Sequence, residues 1–371
     1  MHCCGIIVEY NPLHNGHLVH IDQARRLSGC DALIAVMSGN FVQRGEPAIL
    51  DKWQRARAAV EHGVDLVIEL PYPWATQSAT QFAGGAVTLL KLAGVQSLVF
   101  GSETNNLEEL KAMAAMAINP DHLKESMAQG VAFPKAYGLW AKEMMPNDIL
   151  GVAYLKQLQG SDIVAHTIQR TTGYHDEALN GSCASAKAIR QALARGNDAL
   201  AAFTPMSEAL RQGPRVTLSA FYPYLRTLLT TMPDRHLRSI FLFSEGIEHH
   251  LARCALACGD WDSFISAAVS RRYTRSRIQR TCLQLLCQIH WDEIRALPPL
   301  TTLRPLAFTS TGQQVLRQLR ARNVPVASRF AAVPRPYREL EYRSTLLYTS
   351  LMPEQDRQAL LKKEIGGPIL L

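Results

Sequence analysis

Short apolar runs recur along the first half of the chain: Gly5 to Val8, Ala32 to Met37, Val64 to Leu70, Ser97 to Phe100 and Asp162 to Ile168. The second ends in Ser38-Gly39-Asn40, the third at Pro71 and Pro73, the fourth in Gly101-Ser102-Glu103. Runs this short, closed by turn residues, predict buried strands. Between them the apolar spacing is helical. Leu18, Ile21, Ala24 and Leu27 share one face, with Arg25 and Arg26 on the other. Asp51 stands at the N-cap of a helix carrying Lys52, Arg55 and Arg57. Thr76 to Leu92 reads as one long helix with Gly84-Gly85 inside it. Such a pair costs roughly 2 kcal/mol of helix propensity, so it marks close packing or a kink. Residues 104–146 read as helical, and Pro146-Asn147-Asp148 opens a helix containing Leu150, Tyr154, Leu155 and Leu158. Strands alternating with helices predict an α/β fold, a Rossmann-like doubly wound parallel sheet with right-handed crossovers.

The alternation stops near residue 196, and helical periodicity dominates to about 300. This change divides the chain into an α/β domain, 1–195, and a mainly α-helical C-terminal domain, 196–371. Arg271-Arg-Tyr-Thr-Arg-Ser-Arg-Ile-Gln-Arg280 holds five arginines, with Ile278, Leu283 and Leu286 as an apolar stripe. Arginine suits phosphate because its fork is planar and always charged. Residues 298–337 are richer in proline and include Arg320, Arg322, Arg329 and Arg335. Tyr342 to Leu351 is a late helix or an extended segment.

Composition adds three constraints. A chain of 371 residues, 47% hydrophobic and 19% charged, can bury a core and is not disordered. A formal charge of +7 and a pI near 9.0 suit an acidic partner such as nucleic acid. No apolar stretch reaches the ~18 residues of a membrane span, and no signal peptide precedes the first strand, so the expected compartment is the cytoplasm. The eight cysteines include no CxxC pair and are expected reduced and buried. Cys254 and Cys258, just after His249-His250, match zinc-ligand spacing poorly, and no metal is expected there.

The chemistry concentrates in Asn11-Pro12-Leu13-His14-Asn15-Gly16-His17, between the first strand and the first helix. In an open α/β sheet, ligands bind at the C-terminal ends of strands. Helix N-terminal amides and the helix dipole favour an anion there. Gly16, lacking a Cβ, lets the backbone approach a ligand. Two imidazoles flanking it can each donate a hydrogen bond to phosphate. The stretch resembles the HxGH signature of the nucleotidyltransferase superfamily, whose histidines stabilise the triphosphate while a nucleophile attacks the α-phosphate. A second segment, Ser185-Ala-Lys-Ala-Ile-Arg190, resembles the Ser-x-Thr-x-Ile-Arg signature that closes the phosphate site, with Lys187 where Thr is usual.

Several longer stretches resemble one family, the bacterial tRNA(Met) cytidine acetate ligases. They are Glu9 to His17, Met37-Ser-Gly-Asn-Phe-Val-Gln-Arg-Gly-Glu-Pro47, Pro146 to Gly151, Gly173-Tyr-His-Asp176 and Tyr273 to Arg280. The resemblance covers nearly the whole chain. It implies a nucleotidyltransferase-type fold and ATP-dependent activation of acetate to acetyl-adenylate, with pyrophosphate released. The acetyl group then passes to N4 of the wobble cytidine of elongator tRNA(Met). ATP with Mg2+ is the implied co-substrate, and neither acetyl-CoA nor a protein partner is implied. It places the ATP-binding loop on Ile7-Val8-Glu9-Tyr10-Asn11-Pro12-Leu13-His14-Asn15-Gly16-His17-Leu18-Val19-His20, with further nucleotide contacts at Gly101, Asn147 and Arg170. His14 and His17 are the candidate catalytic residues. Arg44, Lys52, Lys187 and Arg190 are weaker candidates for acetate, phosphate or RNA. Two other readings share the HxGH core: a small-molecule adenylyltransferase of the pantetheine or nicotinamide nucleotide type, and a non-catalytic RNA-binding protein.

Overall fold

A computed structural model describes residues 1–116, 144–170, 184–197 and 199–371. Five parallel strands run in the order β5-β4-β1-β2-β3: β1 Cys3–Val8, β2 Ala32–Ser38, β3 Leu66–Leu70, β4 Ser97–Ser102 and β5 Val164–Gln169. Inside the sheet the strands alternate between two cores. Cys4, Ile6, Val8, Leu33, Ala35 and Met37 face one, while Ala32, Ile34, Val36, Leu66 and Ile68 face the other. Both faces are buried, which is why these runs read as continuously apolar. The chain winds outward from β1 through β2 and β3, then returns to β4 on the other side. The strand order therefore reverses between β1 and β4, the switch point where such sheets bind ligands.

The predicted helices form with local differences. Helix α1, Asn15–Ser28, ends at Gly29 with φ 59°, the left-handed conformation glycine adopts without strain. Helix α2, Lys52–Glu61, is capped by Asp51, whose carboxylate accepts from Trp53 and Gln54 amides. The long helix expected from Thr76 starts later, at Ala79, after a short helix Tyr72–Ala75. Gly85 is explained by packing: a Cβ there would lie 2.8 Å from Trp74 of the short helix. Leu107–Ala115 is helical as expected, while 117–143 of that stretch lie outside the described residues.

The second half is not separate from the sheet. A helical region, residues 218–285, has its own core, which includes Tyr222, Phe264 and Cys282 and no strand residue. Cys254 and Cys258 belong to that core. Beyond it the chain returns: β6, Pro305–Phe308, pairs antiparallel with β3, and β7, Ile369–Leu370, pairs with β6. Two short strands thus join the sheet after residue 300, which the sequence reading does not predict. Four residues beginning with proline carry too short a period to read as a strand. Tyr342 to Leu351 falls in and just after a helix, Arg335–Thr349.

Buried charge fastens this return. Lys52, which the sequence offered as a ligand contact, is fully buried and faces away from solvent. Its Nζ lies 2.5 Å from Glu69 and 2.9 Å from Glu364, and 3.7 Å from Glu341. Arg304 bridges the same Glu69 and Glu364 at 2.7 and 2.8 Å. A cation so enclosed by carboxylates cannot also meet substrate. Burial, then the neighbouring Glu69, raise the Glu341 carboxyl to about 8. Protonated Glu341 leaves two cations against two carboxylates, which balances the cluster.

That proton has a thermodynamic consequence. The folded carboxyl titrates above its ordinary 4.5, so the folded state holds the proton longer than the unfolded chain. Its contribution is complete below 4.5 and is lost as pH rises through about 8. Glu341→Gln keeps an acceptor for the Tyr72 amide, which Glu341 now supplies, but cannot ionise. Denaturant midpoints of wild type and variant should therefore diverge between about pH 5 and 9, the variant gaining at the alkaline end. A constant difference would mean that Glu341 carries no proton in the folded state.

Candidate active site

The loop from Glu9 to His14 leaves the C-terminal end of β1 at the switch point and ends as the N-cap of α1. His14 is that cap: its Nδ1 accepts from the Gly16 amide at 3.1 Å. His17 completes a capping box, its Nδ1 accepting from the His14 amide at 3.2 Å. The two rings lie with centroids 3.8 Å apart, tilted by 31°. The Tyr10 and His17 rings pack in a T-shaped arrangement with centroids 5.0 Å apart.

These bonds determine the tautomer. An Nδ1 that accepts from an amide has no proton, so a neutral ring carries its proton on Nε2. Both rings are held neutral. Burial, then the charges of Arg170 and Arg190, lower His14 to about 4. Burial, then His14, lower His17 well below 6.5. The two Nε2–H groups have no protein acceptor among the described residues. His20 differs, since its Nε2 lies 3.2 Å from the Val99 carbonyl, which can only accept.

Two expectations change here. The α1 amides are not free for an anion, because Asn15 N–H donates to Phe203 O at 3.0 Å and Gly16 N–H to His14. The helix dipole and the ring Nε2–H donors remain. Gly16 serves the ring rather than the ligand: a Cβ there would lie 2.9 Å from His14 Cε1. His17 itself is half-buried.

On the other side of the switch point, Gly101 ends β4 beside Arg170, whose Cγ would be 3.2 Å from a Cβ at Gly101. Arg170 Nη1 reaches Asn147 Oδ1 at 3.5 Å. Asn147 sits in the first turn of the helix Pro146–Leu158, its Nδ2 donating to Glu103 at 2.5 Å. Asp148 is buried and accepts from Ser102 Oγ at 2.5 Å and from the Glu103 amide at 3.1 Å. An acceptor-only side chain fits that position. Gly101, Asn147 and Arg170 are thus one connected group, and the charge of Arg170 acts on both histidines.

Ser185 caps the helix Ala186–Ala194, as its spacing predicted. Arg190 in that helix donates to Asn11 O at 2.7 Å and to Glu46 at 3.1 Å. Its fork holds the loop itself. Asn11 Oδ1 accepts from Ile49 N at 2.8 Å, joining the loop to residues 41–50. Ile7 and Val8 lie in β1, while Leu18 and Val19 lie on α1, Val19 exposed. Gly173 to Asp176 lie outside the described residues. Sequence reasoning missed Phe203 and Thr204, which bind the loop from far along the chain: Thr204 Oγ1 donates to Leu13 O at 2.5 Å.

The description of the HIGH Nucleotidyl Transferase family matches residues 1–364. The chain belongs to this family. It is 36% identical to the tRNA(Met) cytidine acetate ligase of Anoxybacillus flavithermus over the full length of both. It is 38% identical to that of Limosilactobacillus reuteri, covering 96% of this chain and 98% of the relative. Crystal structures of Thermotoga maritima TmcAL are similar over the full length of both chains at 31% identity. The apo form gives a TM-score of 0.90 and the form bound with alpha-thio ATP 0.87. In this chain His14 and His17 stand in a defined hydrogen-bonded state.

That state can be read directly. Long-range proton–nitrogen NMR should find His14 and His17 as neutral Nε2–H tautomers from about pH 8 down to about 5. Either ring titrating near 6.5, or carrying its proton on Nδ1, would contradict the capping geometry.

Proposed function

We propose that this chain is a cytoplasmic tRNA(Met) cytidine acetate ligase. It uses ATP and acetate to form N4-acetylcytidine at the wobble position of elongator tRNA(Met). The reading rests on the two Nε2–H donors at the switch point, in a chain similar end to end to relatives of that name. Ile7 to His20 hold the nucleotide, with Gly101, Asn147 and Arg170 opposite. No helix of the described residues is long and apolar enough to cross a membrane.

In the first step an acetate oxygen attacks the α-phosphorus, the bond to the β-phosphate bridge oxygen breaks, and pyrophosphate leaves with its electrons. His14 and His17 donate to phosphoryl oxygens as charge builds on them, and being neutral they need no proton from solvent. Arg170 adds positive potential beside them. ATP arrives as its Mg2+ complex. Among the described residues the three-carboxylate group Glu69, Glu341 and Glu364 is already neutralised by Lys52 and Arg304. In the second step the cytidine N4 amine attacks the acetyl carbonyl, the bond from the acetyl carbon to the phosphate oxygen breaks, AMP leaves with its electrons, and the amine gives up one proton to solvent. The base must leave its stack to reach the site. A small-molecule adenylyltransferase would leave the helical core of 218–285 without a role.

Acetate-dependent exchange of pyrophosphate into ATP should occur without tRNA, and tRNA acetylation should need no coenzyme A. His17→Ala should lower the exchange by about 10²-fold, the scale for losing one transition-state donor. Strict dependence on acetyl-CoA, or an unimpaired His17 variant that is folded, would remove this mechanism.

The helical region offers the RNA surface. Arg271, Arg272 and Arg275 are exposed, with Arg272 and Arg277 stacked on Tyr273 at 5.5 and 5.4 Å and sharing Glu245. Replacing Arg271 and Arg275 by Ala should weaken tRNA binding and reduce its salt slope by about one per lost phosphate contact. An unchanged slope in a folded variant would place the RNA elsewhere.

A further inference from the structure

The sequence presents the arginines of 271–280 as one cluster, but the structure divides them. Arg280 turns away from the exposed group. Its Nη1 donates to the Gln43 carbonyl at 3.2 Å. Burial lowers its guanidinium to about 10, which leaves it charged at neutral pH. The approach is also close at Gly45. Gly45 has φ 78°, and a Cβ there would lie 2.7 Å from Arg280 Cα. The turn therefore lies flat on the backbone of the helix Arg275–Leu286, and only glycine fits between them.

Gln43 joins that helix to the candidate active site. Its amide donates to Glu9 Oε1 at 2.7 Å, and its side chain donates to Gln77 O at 2.8 Å. Glu9 directly precedes Tyr10, whose ring packs against His17. The same turn carries Glu46, the partner of Arg190, whose other nitrogen holds Asn11 O. Arg280 thus reaches the histidine loop through one residue, Gln43, whose carbonyl accepts from Arg280 and whose amide donates to the Glu9 carboxylate.

We propose that Arg280 is a positioning residue for adenylate formation and not an RNA contact. It seats the turn of residues 42–46 so that Glu9 and Asn11 hold the His14–His17 loop in register. The assignment rests on the acetate-activating reading given above. Positional errors near an ångström at reacting groups lower rates by up to about 10²-fold, and a loosened turn transmits part of such an error.

The test compares Arg280→Gln with Arg280→Lys. The ammonium of Lys can still donate to the single carbonyl at Gln43, whereas Gln has neither the charge nor the reach. In acetate-dependent pyrophosphate exchange without tRNA, the Gln variant should lose about tenfold in kcat, and the Lys variant should retain most of the rate. The His17 ring signals should shift in the Gln variant. tRNA affinity and its salt slope should match wild type, with melting curves confirming folding. A folded Gln variant with wild-type exchange and an unmoved His17 signal overturns the proposal. So does a reduced salt slope, which would make Arg280 an RNA contact. If wild type shows no acetate-dependent exchange, the acetate reading fails by itself. The His17 signal then still decides the role of Arg280.

Discussion

A single buried guanidinium organises the floor of the site. Arg55 of α2 is fully enclosed, yet among the described residues no carboxylate lies within ion-pair distance of it. Its three nitrogens instead serve four carbonyls: Leu50 at 2.9 Å, Glu9 at 2.6 Å, Ser38 at 3.2 Å, and Gly39. Burying a charge is tolerable only when its donors are satisfied. Here they are satisfied by backbone oxygens at the ends of β1 and β2. The planar fork joins those ends to the residue that precedes the Asp51 cap. Lysine, with one compact ammonium, could not span the same four acceptors. The course of Glu9 to His14 follows from this anchor.

Lys52 and Arg55 stand three apart on α2, so they share a face. Both point inward, one toward carboxylates and one toward carbonyls. That face lies between the site and the returning C-terminal chain. Glu69 comes from β3, Arg304 from the approach to β6, Glu341 and Glu364 from the last helices. Removing one member would leave its partners charged and dry, which typically costs about 3–5 kcal/mol. The catalytic sheet and the C-terminal segment are therefore stabilised as one unit, and the helix Arg275–Leu286 is tied to the first half through Arg280 and Gln284. This is a physical reason for an RNA-facing helix and a nucleotide loop to keep a constant geometry.

The legible part of the structure was local. Apolar runs, the Asp51 and Ser185 caps and the loop at the switch point all depend on neighbours within a few residues. The parts that were not legible depend on distant ones. Lys52 read as a candidate contact for acetate, phosphate or RNA because its carboxylate partners lie up to 312 residues away. The strand β6 has four residues and takes its order from β3. Arg280 was indistinguishable from its exposed neighbours until the turn at Gly45 was placed against it. One missed feature was within reach: His14 and His17 have the N-cap to N3 spacing of a capping box, a signal that imidazole can carry as well as hydroxyl and carboxylate.

That spacing ties folding to chemistry. The bond from Gly16 N–H to His14 Nδ1 starts the helix, and it also removes the Nδ1 proton. The bond from His14 N–H to His17 Nδ1 does the same for the second ring. An Asn or Asp at position 14 could cap the helix, but it would present no Nε2–H beyond the cap. A histidine at either position without its amide partner could take the other tautomer and turn a lone pair toward the anion. Helix initiation and phosphate recognition are thus one arrangement. The helix needs acceptors at its first turn, the ligand needs donors one ring-width further out, and imidazole supplies both from opposite edges.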